Sequence, residues 1–375
     1  MNITITSLWA QKLFRPGEPQ PFGGAELQLT LLARELAEQT DATIRFVTRG
    51  QGPAEEFLSG LLRIHKLPYR RLRIARSVWG MLDCLRACRR LPSDIYIQRG
   101  GGFETGITGW AARSKNKPFL FMTSSLWDVD GFHETRRGVL YGTFYLYGLR
   151  RAGIIITQTE QQQRLLKERY GRESIVMRSA HPIPEAIPEG KEGVLWVGRC
   201  EPCKDPDMFL ELARRTPRIS FTMVCPPANR MDMFERVQEK ARVIANLRFL
   251  PGVSFEETER LFASHKVMVN TSTQEGYPNT FVQAFKWGLP IITARFDPDD
   301  ILTAHGMGLR TGEAIEDLAK GVEAMMEEER WLEASRKARR FADEHHNIRT
   351  AASRFYEIIE RAVAGHQKRA MAKHS

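Results

Sequence analysis

Three short clusters of residues hold the side chains best suited to chemistry. In the first, Val197-Gly198 is followed by Arg199, with Lys204 five residues further on. Gly198 ends a predicted strand, so Arg199 emerges at the strand tip. Two fixed cations there suit a diphosphate and would neutralise charge on a leaving group; the alternative is a surface Arg and Lys in a loop. The second cluster is Thr271-Ser-Thr-Gln-Glu-Gly-Tyr-Pro-Asn-Thr-Phe-Val-Gln283. Pro278 suits a first helical turn and Gly288-Leu289-Pro290 ends the helix. Residues before Pro278 then lie at a helix mouth, where open N–H groups favour phosphate. Glu275 is placed to accept hydrogen bonds from sugar hydroxyls, and Gln283, more than a turn into the helix, to reach a ribose. A capped helix with a turn accounts for the glycine and proline but not for Glu275. The third cluster is Gly23-Gly24 at the start of a helix, where backbone approaches an anion closely; a purely structural glycine pair is the alternative.

Short apolar runs alternating with helical patterns position these clusters and predict parallel sheets covered by helices. Strands are expected at residues 2–8, 43–48, 95–98, 119–122 and 154–158, with helices at 24–38 and 139–149. Residues 183–193, rich in proline and glycine, read as a linker. Strands resume at 194–197, 219–224, 247–250, 267–270 and 291–293, with a helix at 207–215. The expected architecture is α/β: two Rossmann-like doubly wound domains, 1–182 and 194–347, facing across a cleft. Ligands in such sheets sit at the carboxyl ends of the strands. The last helix, 348–364, is expected to run into a fraying basic tail, and the segment 348–375 to pack back towards the first domain.

Over GGAELQLTLLARELA, VLWVGRCEPCKDPDMFLELA and NTSTQEGYPNTFVQAFKWGLPIIT, the chain resembles the retaining GT-B glycosyltransferases of family 4. The resemblance implies a nucleotide-sugar donor held by the C-terminal domain and an acceptor held by the N-terminal one. It implies that Arg199 and Lys204, beside Gly198, clamp the diphosphate. Glu275 would contact the donor sugar, aided by Gly276, Tyr277, Pro278, Asn279 and Thr280, and Gly23 and Gly24 would lie on the phosphate side. The second acid of the family's E-x7-E motif falls on Gln283, whose amide both donates to and accepts from ribose hydroxyls. The family's histidine after a later N-terminal strand is missing from Phe121–Gly131. Asp128 or Asp130 stands as its replacement, a capping role being the alternative.

The resemblance implies transfer of a sugar from UDP or GDP, with retention and without a metal, to a glycan or lipid-linked acceptor of cell-surface polysaccharide or glycolipid synthesis. A GT-B sugar-nucleotide epimerase and a non-catalytic nucleotide- or lipid-binding paralogue are the rival readings. The 375 residues carry a net charge of +10. Much of the excess lies between Leu62 and Arg90, where Arg70, Arg71, Arg73, Arg76 and Trp79 mix charge with apolar surface. That suits anionic lipid headgroups or a lipid-linked acceptor, the alternative being a solvated helix face. No nucleic-acid recognition motif accompanies the charge. Five cysteines fit a reducing compartment, and Cys200-x-x-Cys203 lacks further ligands for a metal. With no secretory leader or long apolar run, a cytoplasmic protein, peripheral on the inner face of a membrane, is expected.

Overall fold

A strand buried on both faces must be apolar at nearly every position, whereas a covering helix needs only one apolar stripe. The chain follows that rule in two compact units, Met1–Ala180 with Ile348–Ser375, and His181–Asn347. The structure, a computed structural model, describes residues 1–14, 23–68, 75–228 and 230–372, the side chains of 75–79 excepted.

The first unit holds β1 (Asn2–Thr6), β2 (Thr43–Gly50), β3 (Glu55–Ser59), β4 (Leu62–Pro68), β5 (Ile95–Arg99), β6 (Phe119–Met122), β7 (Ile154–Thr157) and β8 (Ile175–Val176). Their order is β3-β4-β2-β1-β5-β6-β7-β8. All pairs are parallel except β3 with β4. Every residue of β5 and β6 is buried. The strand order reverses between β1 and β5, which defines a crevice at their carboxyl ends. The helix Ile348–Met371 belongs to this unit, seven residues longer than its apolar pattern suggests. Its buried Ala352, Phe355, Ile359 and Ala362 recur every three or four residues and join the core formed by Ile3, Ile5, Leu29 and Leu32. Between the helices Phe103–Ser114 and Val139–Arg151 the backbones nearly touch. A Cβ on Gly148 would lie 2.3 Å from the Thr105 carbonyl oxygen, which dictates glycine there.

The second unit holds β9 (Val194–Val197), β10 (Phe221–Val224), β11 (Leu247–Leu250), β12 (Val267–Asn270), β13 (Ile291–Thr293) and β14 (Gly308–Arg310). All are parallel, in the order β11-β10-β9-β12-β13-β14. Here the order reverses between β9 and β12. Residues 183–193, expected as a linker, are irregular but fastened to this unit. The Pro184 carbonyl accepts from Arg339, Lys191 Nζ donates to the Trp287 carbonyl, and Glu192 N–H to the Ser264 carbonyl. The prolines prevent regular structure without preventing packing.

Four strands escaped the sequence reading. In β4, buried Leu62, Ile64 and Lys66 alternate within a stretch that otherwise reads as basic surface. β3 alternates half-buried and exposed residues at a sheet edge, and β8 and β14 are only two and three residues long. Arg70, Arg71 and Arg73 lie outside the described residues. Arg76 and Trp79 fall in the helix Ala75–Arg90, outside the described side chains. Among the described residues no helix is long and apolar enough to cross a membrane.

His181 opens the second unit and is fully buried, its backbone N–H donating to the His346 carbonyl at 2.9 Å. Neither ring nitrogen has a hydrogen-bond partner among the described residues. Burial, reinforced by Lys286 and His346, holds the imidazole well below the usual histidine range. The unfolded chain therefore takes up a proton that the folded one refuses, and stability falls as pH drops below about 6.5. Replacing His181 by Phe should flatten the dependence of unfolding free energy on pH between roughly pH 5 and 6.5, by up to about 1.4 kcal/mol per pH unit. Urea titrations across that window measure the slope, and equal slopes would exclude His181 as its source.

Candidate active site

Parallel pairing of β9 with β12, in the register Val194↔Val267 and Leu195↔Met268, forces the loops that follow these strands to leave the sheet side by side. The β9 loop carries Gly198, Arg199 and Lys204; the β12 loop carries Thr271 to Pro278. The two are laced together below the surface. Trp196 Nε1 donates to Thr271 Oγ1 at 3.0 Å. The Thr271 hydroxyl in turn is shared between the carbonyls of Lys204 (2.7 Å) and Asp205 (2.9 Å). Thr273 N–H donates to the Cys203 carbonyl at 2.9 Å. Gly198 leaves room for the indole of Trp196, whose ring would lie 2.9 Å from a Cβ there.

On this base the chemically active side chains converge. Lys204 Nζ and Glu275 Oε1 form an ion pair, and Ser272 Oγ donates to the same carboxylate oxygen at 2.7 Å. Both charged side chains are partly exposed, Lys204 by 23% and Glu275 by 12%, so the pair can be reached by a ligand. Arg199 lies beside Glu201, at 3.3 Å, with 49% of its side chain exposed. The short helix Asn279–Lys286 starts immediately after, with Pro278 as its cap residue. Gly276, Tyr277 and Pro278 are buried, Asn279 and Thr280 half-buried. The Tyr277 hydroxyl is bound to His346 Nε2 at 2.7 Å, which points its ring inward rather than towards a ligand.

Gln283 is in that helix and only 5% exposed. Its Nε2 donates to Glu259 Oε1 at 2.8 Å. The other oxygen of Glu259 accepts from Lys286 Nζ at 2.6 Å and Trp287 Nε1 at 2.9 Å. Burial lowers the Lys286 pKa, partly offset by Glu259. Glu259, from the helix Phe255–Ser264, thus fixes which way the Gln283 amide faces: its nitrogen is committed and its oxygen turned away.

Sequence reasoning missed several residues of this cluster. Arg295, two residues past β13, donates to Asp205 Oδ2 at 2.9 Å and to the Thr271 carbonyl at 2.8 Å. It stiffens the turn at Asp205, whose φ is +45°. Its position just past a strand tip is the same signal that singled out Arg199. Ser272 and Glu259 left no comparable mark, since their partners are set by tertiary packing. Among the described residues no cluster of three His, Cys, Asp or Glu side chains could hold a metal. Cys200 is buried in the core, whereas Cys203 faces Glu201.

The remaining candidates lie in the first unit. Gly23 caps the helix Gly24–Gln39, and the Glu26 carboxylate folds back against it, 2.2 Å from where a Cβ would stand. Asp128 is fully buried and accepts from Gly101 N–H (2.8 Å), Ser124 N–H (2.6 Å), Ser125 N–H (3.2 Å), Ser124 Oγ (3.0 Å) and His133 Nε2 (2.9 Å). Burial alone would raise its pKa, but the His133 contact and the backbone donors outweigh it and hold the carboxyl below its ordinary value. Asp130 accepts from Phe132 N–H at 2.9 Å. Both aspartates therefore serve as anchors for the loop after β6.

The two loops of the second unit meet at a switch point, where open α/β sheets bind ligands. The family described as Glycosyl transferases group 1 matches residues 177–345, and the Glycosyl transferase 4-like domain matches residues 23–179. The chain belongs to the GT-B glycosyltransferases. Sucrose-phosphate synthase from Thermosynechococcus elongatus is similar in structure, with a TM-score of 0.81 at 15% identity over 97% of this chain and 99% of that one. HepE of Anabaena, solved with UDP and glucose, gives 0.74 at 14% identity over 96% and 99%. WaaG, a glycosyltransferase involved in lipopolysaccharide biosynthesis, gives 0.69 at 16% over 95% and 99%. These likenesses concern the fold. In sequence, D-inositol 3-phosphate glycosyltransferase of Mycolicibacterium smegmatis is 24% identical over 149 residues, 38% of this chain. The match spans about a third (34%) of that relative's length.

The Glu259 network makes a prediction independent of any ligand. Glu259→Ala leaves Lys286 buried without a counter-charge and should destabilise the protein by roughly 3–5 kcal/mol. Adding Lys286→Met should restore a large part of that loss in chemical denaturation. A double variant no more stable than the single one would show that the ion pair is not the cause.

Proposed function

We propose that this GT-B protein is a retaining glycosyltransferase moving a sugar from UDP or GDP to a glycan or lipid-linked acceptor, without a metal. The reading is carried by the Lys204–Glu275 pair beside exposed Arg199 at the adjoining tips of β9 and β12. Without donor, cation and acid neutralise each other. With donor, the diphosphate draws Lys204 and Arg199 to its oxygens. Glu275, still held by Ser272, is released to accept from the hydroxyls of the sugar. As the glycosidic bond breaks, negative charge grows on the leaving diphosphate, and the two cations meet it without reorganising. The phosphate oxygen takes the proton of the incoming acceptor hydroxyl on the face from which the leaving group departs, so the anomeric configuration is kept. The Gln283 oxygen, aimed by Glu259, is free to accept from the ribose. The solved complexes of HepE with UDP and UDP-glucose support a nucleotide-sugar donor for this fold.

Lys204→Ala and Arg199→Ala should each cut turnover by about 10²-fold or more. Glu275→Gln should abolish transfer while leaving the fold intact. Assays with UDP- and GDP-sugars, run with and without candidate acceptors, test this; wild-type kinetics in the two cation variants would overturn the clamp. Consumption of the donor without any acceptor would instead identify an epimerase.

The acceptor is proposed to lie at an anionic membrane surface on the cytoplasmic side. Arg63, Arg86, Arg89 and Arg90 are exposed in the described part of the basic stretch. Flotation with anionic vesicles should recover the protein at low salt and lose it as salt rises. Equal recovery on neutral vesicles would remove the electrostatic contribution.

A further inference from the structure

A guanidinium cannot shed its proton to escape burial, so a buried arginine needs acceptors or a counter-ion. The other buried cations follow the rule in two ways. Lys66 and Lys286 each hold a carboxylate, at 2.8 and 2.6 Å. Lys191 has only a carbonyl and gives way, its pKa pulled down by burial to about 8. Arg99 does neither. It closes β5 at the carboxyl edge of the first unit's sheet, beside the β1/β5 reversal, and is 9% exposed. Among the described residues no carboxylate lies within ion-pair distance of it.

The partners of Arg99 are neutral. Its Nη2 donates to Ser179 Oγ at 3.3 Å. The Gln158 amide, turned so that its oxygen faces the guanidinium, accepts from Nη2 at 2.5 Å and donates to the Ser124 carbonyl at 3.0 Å. Arg99 Nε is buried and has no hydrogen-bond partner among the described residues. Burial draws the pKa of Arg99 down to about 10, which leaves it charged at neutral pH; Glu26 and Asp128 offset this only from a distance. The Asp128 carboxylate is already taken by five donors. A fixed positive charge with a vacant donor, at the edge where such sheets bind ligands, lacks one component: an anion.

We propose that Arg99, held in place by Gln158 and Ser179, binds an anionic substituent of the acceptor, a phosphate ester or a carboxylate. This rests on the reading that the first unit receives the acceptor. It narrows that acceptor to a charged molecule and makes Arg99 a specificity residue, with Gln158 and Ser179 as positioning residues.

The test uses inorganic phosphate and acetate as probes, read by thermal melting and calorimetry against chloride at equal ionic strength. An Arg199→Ala/Lys204→Ala variant removes the cations proposed to hold the donor, so that any remaining anion site is elsewhere. Phosphate or acetate should still raise the Tm of that variant in a concentration-dependent way. Adding Arg99→Gln should weaken binding by about tenfold or more. Stronger binding of phosphate than acetate identifies a phosphate ester, and the reverse a carboxylate. Arg99→Gln alone should keep its affinity for UDP or GDP, which also shows that it folds; if it does not fold, Arg99→Lys should retain weakened binding. No shift beyond chloride with either probe, or undiminished binding after the Arg99 change, overturns the proposal. Failure of the donor reading would appear separately, as an unaltered protein that neither UDP nor GDP stabilises.

Discussion

The structure of the second unit depends on β9 and β12 lying next to each other. They are separated by two strands in the chain, yet they pair in parallel at the centre of the sheet. The crossover that returns from β11 to β12 places the loop after each strand on the same edge, at the point where strand order reverses. Everything chemically relevant in the unit follows from that meeting. Thr271 can bridge the carbonyls of Lys204 and Asp205 only because the loops touch. Lys204 can pair with Glu275, 71 residues away, for the same reason. Were β12 moved one place outwards, each side chain would sit at its own strand tip and the charges would stay apart.

Charge inside this fold is managed by position. Glu259 answers both a buried lysine and a glutamine amide, and so removes the freedom of Gln283 to turn over. With one N–H of the amide bound to Glu259, the orientation of the group is fixed and its oxygen remains an acceptor. In the first unit Asp128 has the opposite task. Its burial would favour the neutral form, and five donors reverse this, so the loop after β6 is tied to the glycine loop after β5 and to His133.

Much of this was legible in the residues. Apolar runs such as Val194–Val197 and Phe119–Met122, bounded by turn residues and too short for helices, read as buried strands, and all their residues but the half-buried Val197 are buried. Arg199, Lys204 and Glu275 were legible because polar residues just past such runs must emerge at strand tips. Edge strands were not: β3 is half solvent-facing, and β8 and β14 are too short for a period to show. Contacts between helices were equally silent. Nothing in the spacing of Glu259 and Gln283, or of Asp128 and His133, distinguishes a partner from a neighbour; side-chain direction and packing decide that.

The resting ion pair between Lys204 and Glu275 has a consequence for the order of events. On the proposed reading, a nucleotide that needs the lysine must first compete with this internal anion. The carboxylate thereby weakens capture and hastens escape, a compromise suited to a catalyst that must turn over repeatedly. On that same reading, a site stripped of the competitor would hold the spent nucleotide longer, and departure of the by-product would slow.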